Sequence, residues 1–141
     1  MALITWGPML TVGHKEIDEQ HQKLVALVNQ LNDAMHAGHG KEALQRVLAE
    51  LVRYTQYHFG TEERLMAANK YPQSAEHRAE HVKFVADVGA FKKKFDSGNA
   101  TLSVEIMNFL RDWLGKHILQ TDKKLAVALK GAAPRQSVPA G

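Results

Sequence analysis

Residues 44–65 read Leu-Gln-Arg-Val-Leu-Ala-Glu-Leu-Val-Arg-Tyr-Thr-Gln-Tyr-His-Phe-Gly-Thr-Glu-Glu-Arg-Leu. Within this stretch Leu44, Leu48, Leu51, Thr55, His58, Glu62 and Leu65 fall at alternating steps of four and three. That spacing puts them on one face of an α-helix, the face that packs into a helical bundle. An imidazole and a carboxylate therefore occupy positions where Leu or Val is expected.

The same seam recurs three times. Ile17, His21, Leu24, Val28, Leu31 and Met35 form one stripe, and His77, His81, Phe84, Val88, Phe91 and Phe95 another. Ile106, Leu110, Trp113 and His117 form the last, which then slips to Ile118, Asp122, Leu125 and Leu129. Gly and Pro divide the segments: Gly38 and Gly40, then Tyr71-Pro72, then Gly98-Asn99. Helix formers dominate and no Val/Ile/Thr-rich alternation is present, so the sequence predicts an all-α fold. Four helices with short connections predict an antiparallel up-down-up-down four-helix bundle. The expected domain covers residues 1–130, with an arm over 1–13 anchored by Trp6, and residues 131–141 form a short flexible tail.

Composition narrows the function. At 141 residues the chain buries about two-thirds of its unfolded surface, enough for one real core. With no Cys, disulfides, thiolate metal sites and a Cys nucleophile are excluded. The net charge is +3 and no Lys/Arg run exceeds Lys92–Lys94, so no nucleic-acid partner is expected. The longest uncharged stretch, Met1 to His14, lacks a basic flank and is broken by Gly7-Pro8. Neither a signal peptide nor membrane insertion is expected, and the cytoplasm is the expected compartment.

A buried polar group without a partner costs about 1–3 kcal/mol, so six spread over the four inward seams call for a shared ligand. His58-x3-Glu62 and His77-x3-His81 each set two donor atoms one turn apart, and His21 and His117 join them from the other helices. Many imidazoles with few carboxylates and no thiolate suit iron better than zinc, calcium or magnesium. A bridged metal pair needs a second carboxylate, and Asp122 is the candidate. Five residues from His117 is about 140° around a regular helix. Asp122 must therefore reach in from the flank or the helix must widen locally, as the slip of the stripe suggests.

Val12-Gly13, Ile17-Asp18-Glu19-Gln20-His21, His58-x3-Glu62, His77-x3-His81 and His117-x4-Asp122 closely resemble the hemerythrin family, in its single-domain bacteriohemerythrin form. The resemblance covers about residues 6–130. It implies a non-heme centre of two iron ions that binds dioxygen reversibly. By position, His77, His81 and His117 would hold one iron and His21 and His58 the other. Glu62 and Asp122 would bridge them together with an oxo or hydroxo group. One coordination place is then left open, on the iron held by His21 and His58.

Side chains one turn from these residues should wall an apolar oxygen pocket: Leu24, Phe59, Trp113, Leu114 and Ile118. None is titratable, which favours storage, transport or delivery of oxygen over catalysis, so no catalytic residue is expected. The other readings are an oxygen or redox sensor acting through a partner, and a peroxidase or NO-handling enzyme. A monomer that hands oxygen to an oxygen-consuming enzyme is the expected setting. His36 and His39, beside Gly38 and Gly40 at a helix end, have an ordinary dipole role there, and His14, at the start of the first helix, is expected outside the bundle.

Overall fold

The computed structural model describes residues 3–38, 40–99 and 101–137, with 131–137 as backbone only; His39 lies outside the described residues. Helix α1 spans Lys15–His36, α2 Lys41–Ala68, α3 Ser74–Asp96 and α4 Val104–Lys116. From Lys116 the backbone continues without a break through a π-helical turn, His117–Asp122, into α5, Lys123–Ser137. α4, this turn and α5 make the fourth helix of a four-helix bundle, in which α1 packs on α2 and α4 and α2 packs on α3.

Local chemistry sets the helix ends. His14 caps α1, its Nδ1 accepting the Ile17 N–H at 3.3 Å. Asp18 in the first turn accepts the N–H groups of Val12 and Gly13 at 2.8 and 3.1 Å, turning the arm back over the helix start. Gly38 and Gly98 follow the last turns of α1 and α3 at φ +72° and +85°, a left-handed conformation that glycine adopts without strain. The arm is tied further along by Asn29. Its side-chain oxygen accepts from Leu3 and Ile4 N–H at 2.8 Å each, and its amide donates to the Ile4 carbonyl. Trp6 packs against the core as expected.

Two features of the fourth helix depart from the sequence reading. Its inward face in α4 carries Met107, Leu110 and Leu114, while Ile106 and Trp113 are only partly buried. The stripe therefore runs one place later than its pattern suggests on either side of Leu110. Ile106 and Met107 are both apolar, as are Trp113 and Leu114, so hydropathy alone does not choose between them. The helix also passes its expected end: the backbone stays helical to Ser137, into the predicted flexible tail. Ala132-Ala133 extend a helix that already exists, and elongation is far cheaper than nucleation. Residues 138–141 lie outside the described residues. None of the helices among the described residues is long and apolar enough to cross a membrane.

Candidate metal centre

The two carboxylates lie between two sets of imidazoles, and each turns one oxygen to each set. Glu62 Oε1 is 3.0 Å from the Nε2 atoms of His77 and His81 and 3.6 Å from that of His117. Asp122 Oδ1 is 3.0 Å from His77 Nε2 and 2.8 Å from His117 Nε2. The other oxygens face the smaller set. Glu62 Oε2 lies 3.0 Å from His58 Nε2 and 3.7 Å from His21 Nε2, and Asp122 Oδ2 lies 2.6 Å from His21 Nε2 and 3.8 Å from His58 Nε2. Glu62, His77, His81, His117 and Asp122 thus gather one group of donor atoms, and His21, His58, Glu62 and Asp122 a second.

Asp122 reaches this position because of the π-helical turn. In a regular helix the fifth residue after His117 points away from the seam; closing the backbone i to i+5 brings it back over His117. Of the two routes left open by the spacing, the local widening is the one the chain takes.

The donor set fits metal ions better than it fits itself. All seven side chains are buried, with His21, His58, Glu62 and Asp122 wholly inaccessible. His58 Nε2, His117 Nε2, Glu62 Oε2 and Asp122 Oδ1 form no hydrogen bond despite their neighbours at about 3 Å. Their lone pairs converge on common points instead of on one another. Donors at right angles on an ion ~2.1 Å from each stand ~3.0 Å apart, which is the spacing found. Without an ion, three of the histidines hold a proton more tightly than a free imidazole. Burial opposes charge on His58, but Glu62 and Asp122 overcome it and raise its pKa to about 9. Burial opposes charge on His77 too, but the Asp122 and Glu62 carboxylates beside its Nε2 overcome it and raise its pKa to about 9. His117 is raised well above its ordinary value by Asp122. Glu62 and Asp122 are held well below theirs, because the histidines outweigh burial and, for Asp122, the Glu62 charge.

Outer partners hold three of the rings, each supplied by the preceding helix. Gln20 on α1 accepts a hydrogen bond from His58 Nδ1–H through its Oε1 at 2.7 Å and donates to the Thr61 hydroxyl at 3.1 Å. Glu63 on α2 meets His81 Nδ1 at 3.1 Å. Glu80 on α3 meets His117 Nδ1 at 3.2 Å and accepts from the Thr121 hydroxyl at 2.8 Å. Such contacts fix the ring and its tautomer, leaving Nε2 to face the centre. Sequence reasoning missed all three. Each lies next to a seam residue in the chain, but its contact crosses to another helix, so only the register between helices reveals it.

Beside the centre is a cavity of about 10 Å³, close to the space one water molecule needs. Leu24, Phe59, Trp113 and Leu114 line it, joined by Val28, Leu51, Phe84 and Leu110, with His58 and His117 at the metal side. The Thr55 hydroxyl there is spent on the Leu51 carbonyl at 2.7 Å, so the walls offer little to a polar guest. Ile118 is buried but does not line this space. Helical side chains lean toward the N-terminus, so the wall over His117 comes from the turn before it and not from the residue after. His14 serves as a helix cap and His36 is exposed at the far end of α1.

A four-helix bundle enclosing paired imidazole–carboxylate groups is a metal-binding protein built around its core. Residues 12–129 match the family model described as the hemerythrin HHE cation binding domain. The chain is 34% identical over 130 residues to a bacteriohemerythrin of Stenotrophomonas maltophilia, covering 92% of this chain and 84% of that one. A bacteriohemerythrin of Methylococcus capsulatus is 36% identical over 126 residues, covering 87% and 94%. A crystal structure of wild-type hemerythrin superposes with a TM-score of 0.86 at 33% identity, covering 91% of this chain and 98% of that one. The chain belongs to the hemerythrin family.

Proposed function

We propose that this protein binds dioxygen reversibly at a non-heme diiron centre and serves oxygen storage, transport or delivery. His77, His81 and His117 would hold one iron and His21 and His58 the other, with Glu62 and Asp122 shared between the two groups. The observation that carries this reading is the division of each carboxylate's oxygens between the three-imidazole and two-imidazole sets, next to a cavity with largely apolar walls. The smaller set would leave a coordination place open, and its His58 lines the cavity together with His117 of the larger set. Two ferrous ions bound there would supply the electrons that oxygen takes up on binding and returns on release.

The chain's own residues keep that exchange reversible. Apolar walls exclude the water and protons that would carry reduced oxygen away, while Gln20, Glu63 and Glu80 hold the rings in place. Among the described residues the cavity wall carries no free acid or base, which favours a carrier over an enzyme. Residues 1–130 act as one domain, working as a cytoplasmic monomer beside an oxygen-consuming enzyme.

The test is optical. Anaerobically reduced, iron-loaded protein is exposed to oxygen and then purged with argon. A charge-transfer band that comes and goes over several cycles without added reductant supports the carrier reading, and a band that never returns after purging counts against it.

A further inference from the structure

Gly60 sits in the middle of α2, where glycine is unfavourable, yet a side chain there would meet no atom within 4 Å. Packing does not require it. What Gly60 does is floor a surface groove of about 450 Å³ between α2 and α3, with Val82, Val85 and Ala86 on its far side and His81 and Phe59 at its base. Phe59 is the one residue shared by this groove and the buried cavity beside the centre. The Phe59 ring therefore faces both the groove and the buried cavity.

The packing of that ring suits a door. Phe59 is stacked on His81 at 3.8 Å and 7°, and its other ring contacts are edge-on or tilted: Phe84 at 6.0 Å, Trp113 and His117 at 5.8 Å each, and His58 at 6.1 Å. Trp113 also lines the cavity and reaches toward solvent, but it is held on both sides, stacked on Phe84 at 3.9 Å and on His117 at 4.4 Å. Of the two rings, Phe59 is the one with open space to turn into. The groove lining is largely apolar, and its one charged residue, Glu63, is engaged with His81.

We propose that small ligands reach the buried cavity through this groove, by rotation of Phe59 into the space that Gly60 leaves open. The inference rests on the oxygen-binding reading for its physiological passenger, dioxygen, but the path is a property of the walls. It predicts that filling the groove obstructs traffic in both directions without changing how tightly a ligand is held. A wall that gates passage changes rates; one that contacts the bound ligand changes affinity.

The probe is azide, added to the iron-loaded diferric protein and followed by absorbance in a stopped-flow instrument. In Gly60→Leu, association and dissociation rates should fall together, by about threefold or more, with the dissociation constant unchanged. Gly60→Ala, a milder filling, should show the same effect in smaller degree. Phe59→Leu should raise both rates. Gly115→Leu is the control: its site is equally open but lines neither space, so its rates should match the unsubstituted protein. Unchanged rates in Gly60→Leu overturn the proposal. So does a slower association with unchanged dissociation, or equal slowing in Gly115→Leu. Azide binding to the diferric protein does not require reversible oxygenation. Failure of the argon-purging cycles therefore counts against the carrier reading alone, and unaltered azide kinetics against the path alone.

Discussion

At the residue scale, Glu62 has the most to lose by substitution. It meets four of the five imidazoles through its two oxygens within 3.6 Å, and it is wholly buried. Glu62→Ala should lower iron from two per chain to about one or less, because a bridge and a buried negative charge are lost together. Elemental analysis checks this, and two irons per chain in the variant would show that Glu62 is not a bridge. Leu114 poses a different question, since it is both core and cavity wall. Leu114→Ala should cost about 2–5 kcal/mol, as should Leu31→Ala, a comparable truncation away from the cavity. Only Leu114→Ala should also speed autoxidation, by opening the dry wall to water. Equal autoxidation in the two variants would make Leu114 a packing residue alone.

The π-helical turn is the decisive element. Removing Gln120, an exposed residue inside it, returns the later residues to steps of four, three and four from His117. Asp122, Leu125 and Leu129 then still fall on an inward seam, now without the widened turn. The deletion variant should keep its helical circular dichroism and, in the metal-free state, its heat stability. Iron content should fall, because the carboxylate no longer lies where both imidazole sets can share it. Full iron loading after the deletion would show that the wide turn is dispensable. This element also shows the reach of the sequence. The awkward five-residue spacing and the slip of the stripe signalled a change of register, but two backbone solutions satisfied them until the turn was seen. The stripe of α4 was ambiguous for another reason: where two apolar residues stand side by side, only packing against α1 decides which of them faces inward.

For the whole molecule, the raised histidine pKa values make stability depend on metal and pH together. In the metal-free protein His58 and His77 bind protons with pKa values near 9, against an ordinary value of 6.5. A pKa raised on folding contributes stability that is fully present below about pH 6.5 and lost as pH rises through about 9. Glu62 and Asp122, lowered on folding, contribute stability above the ordinary carboxylate range and lose it only in stronger acid. The chelated protein should therefore have a lower urea midpoint at about pH 9 than at about pH 6, while the iron-loaded protein should not weaken over that interval. A metal-free midpoint that stays level or rises across this window would contradict the charge arrangement. Iron loading should also release protons, measurable in a weakly buffered solution.

Taken alone, the sequence determined the helical class, the division into four helices and the seven inward polar positions. Each of these depends on spacing along one chain and on the cost of burying polar groups without partners. Tertiary structure decided what depends on register between helices. It set which oxygen of Glu62 and Asp122 faces which imidazoles, and it brought Gln20, Glu63 and Glu80 to the outer nitrogens of rings on neighbouring helices. It placed Leu114 on the cavity wall and Ile118 behind it, and it opened a groove over Gly60. Periodicity reports the direction in which a side chain leaves its own helix; what it meets there is fixed only when four helices pack at one height.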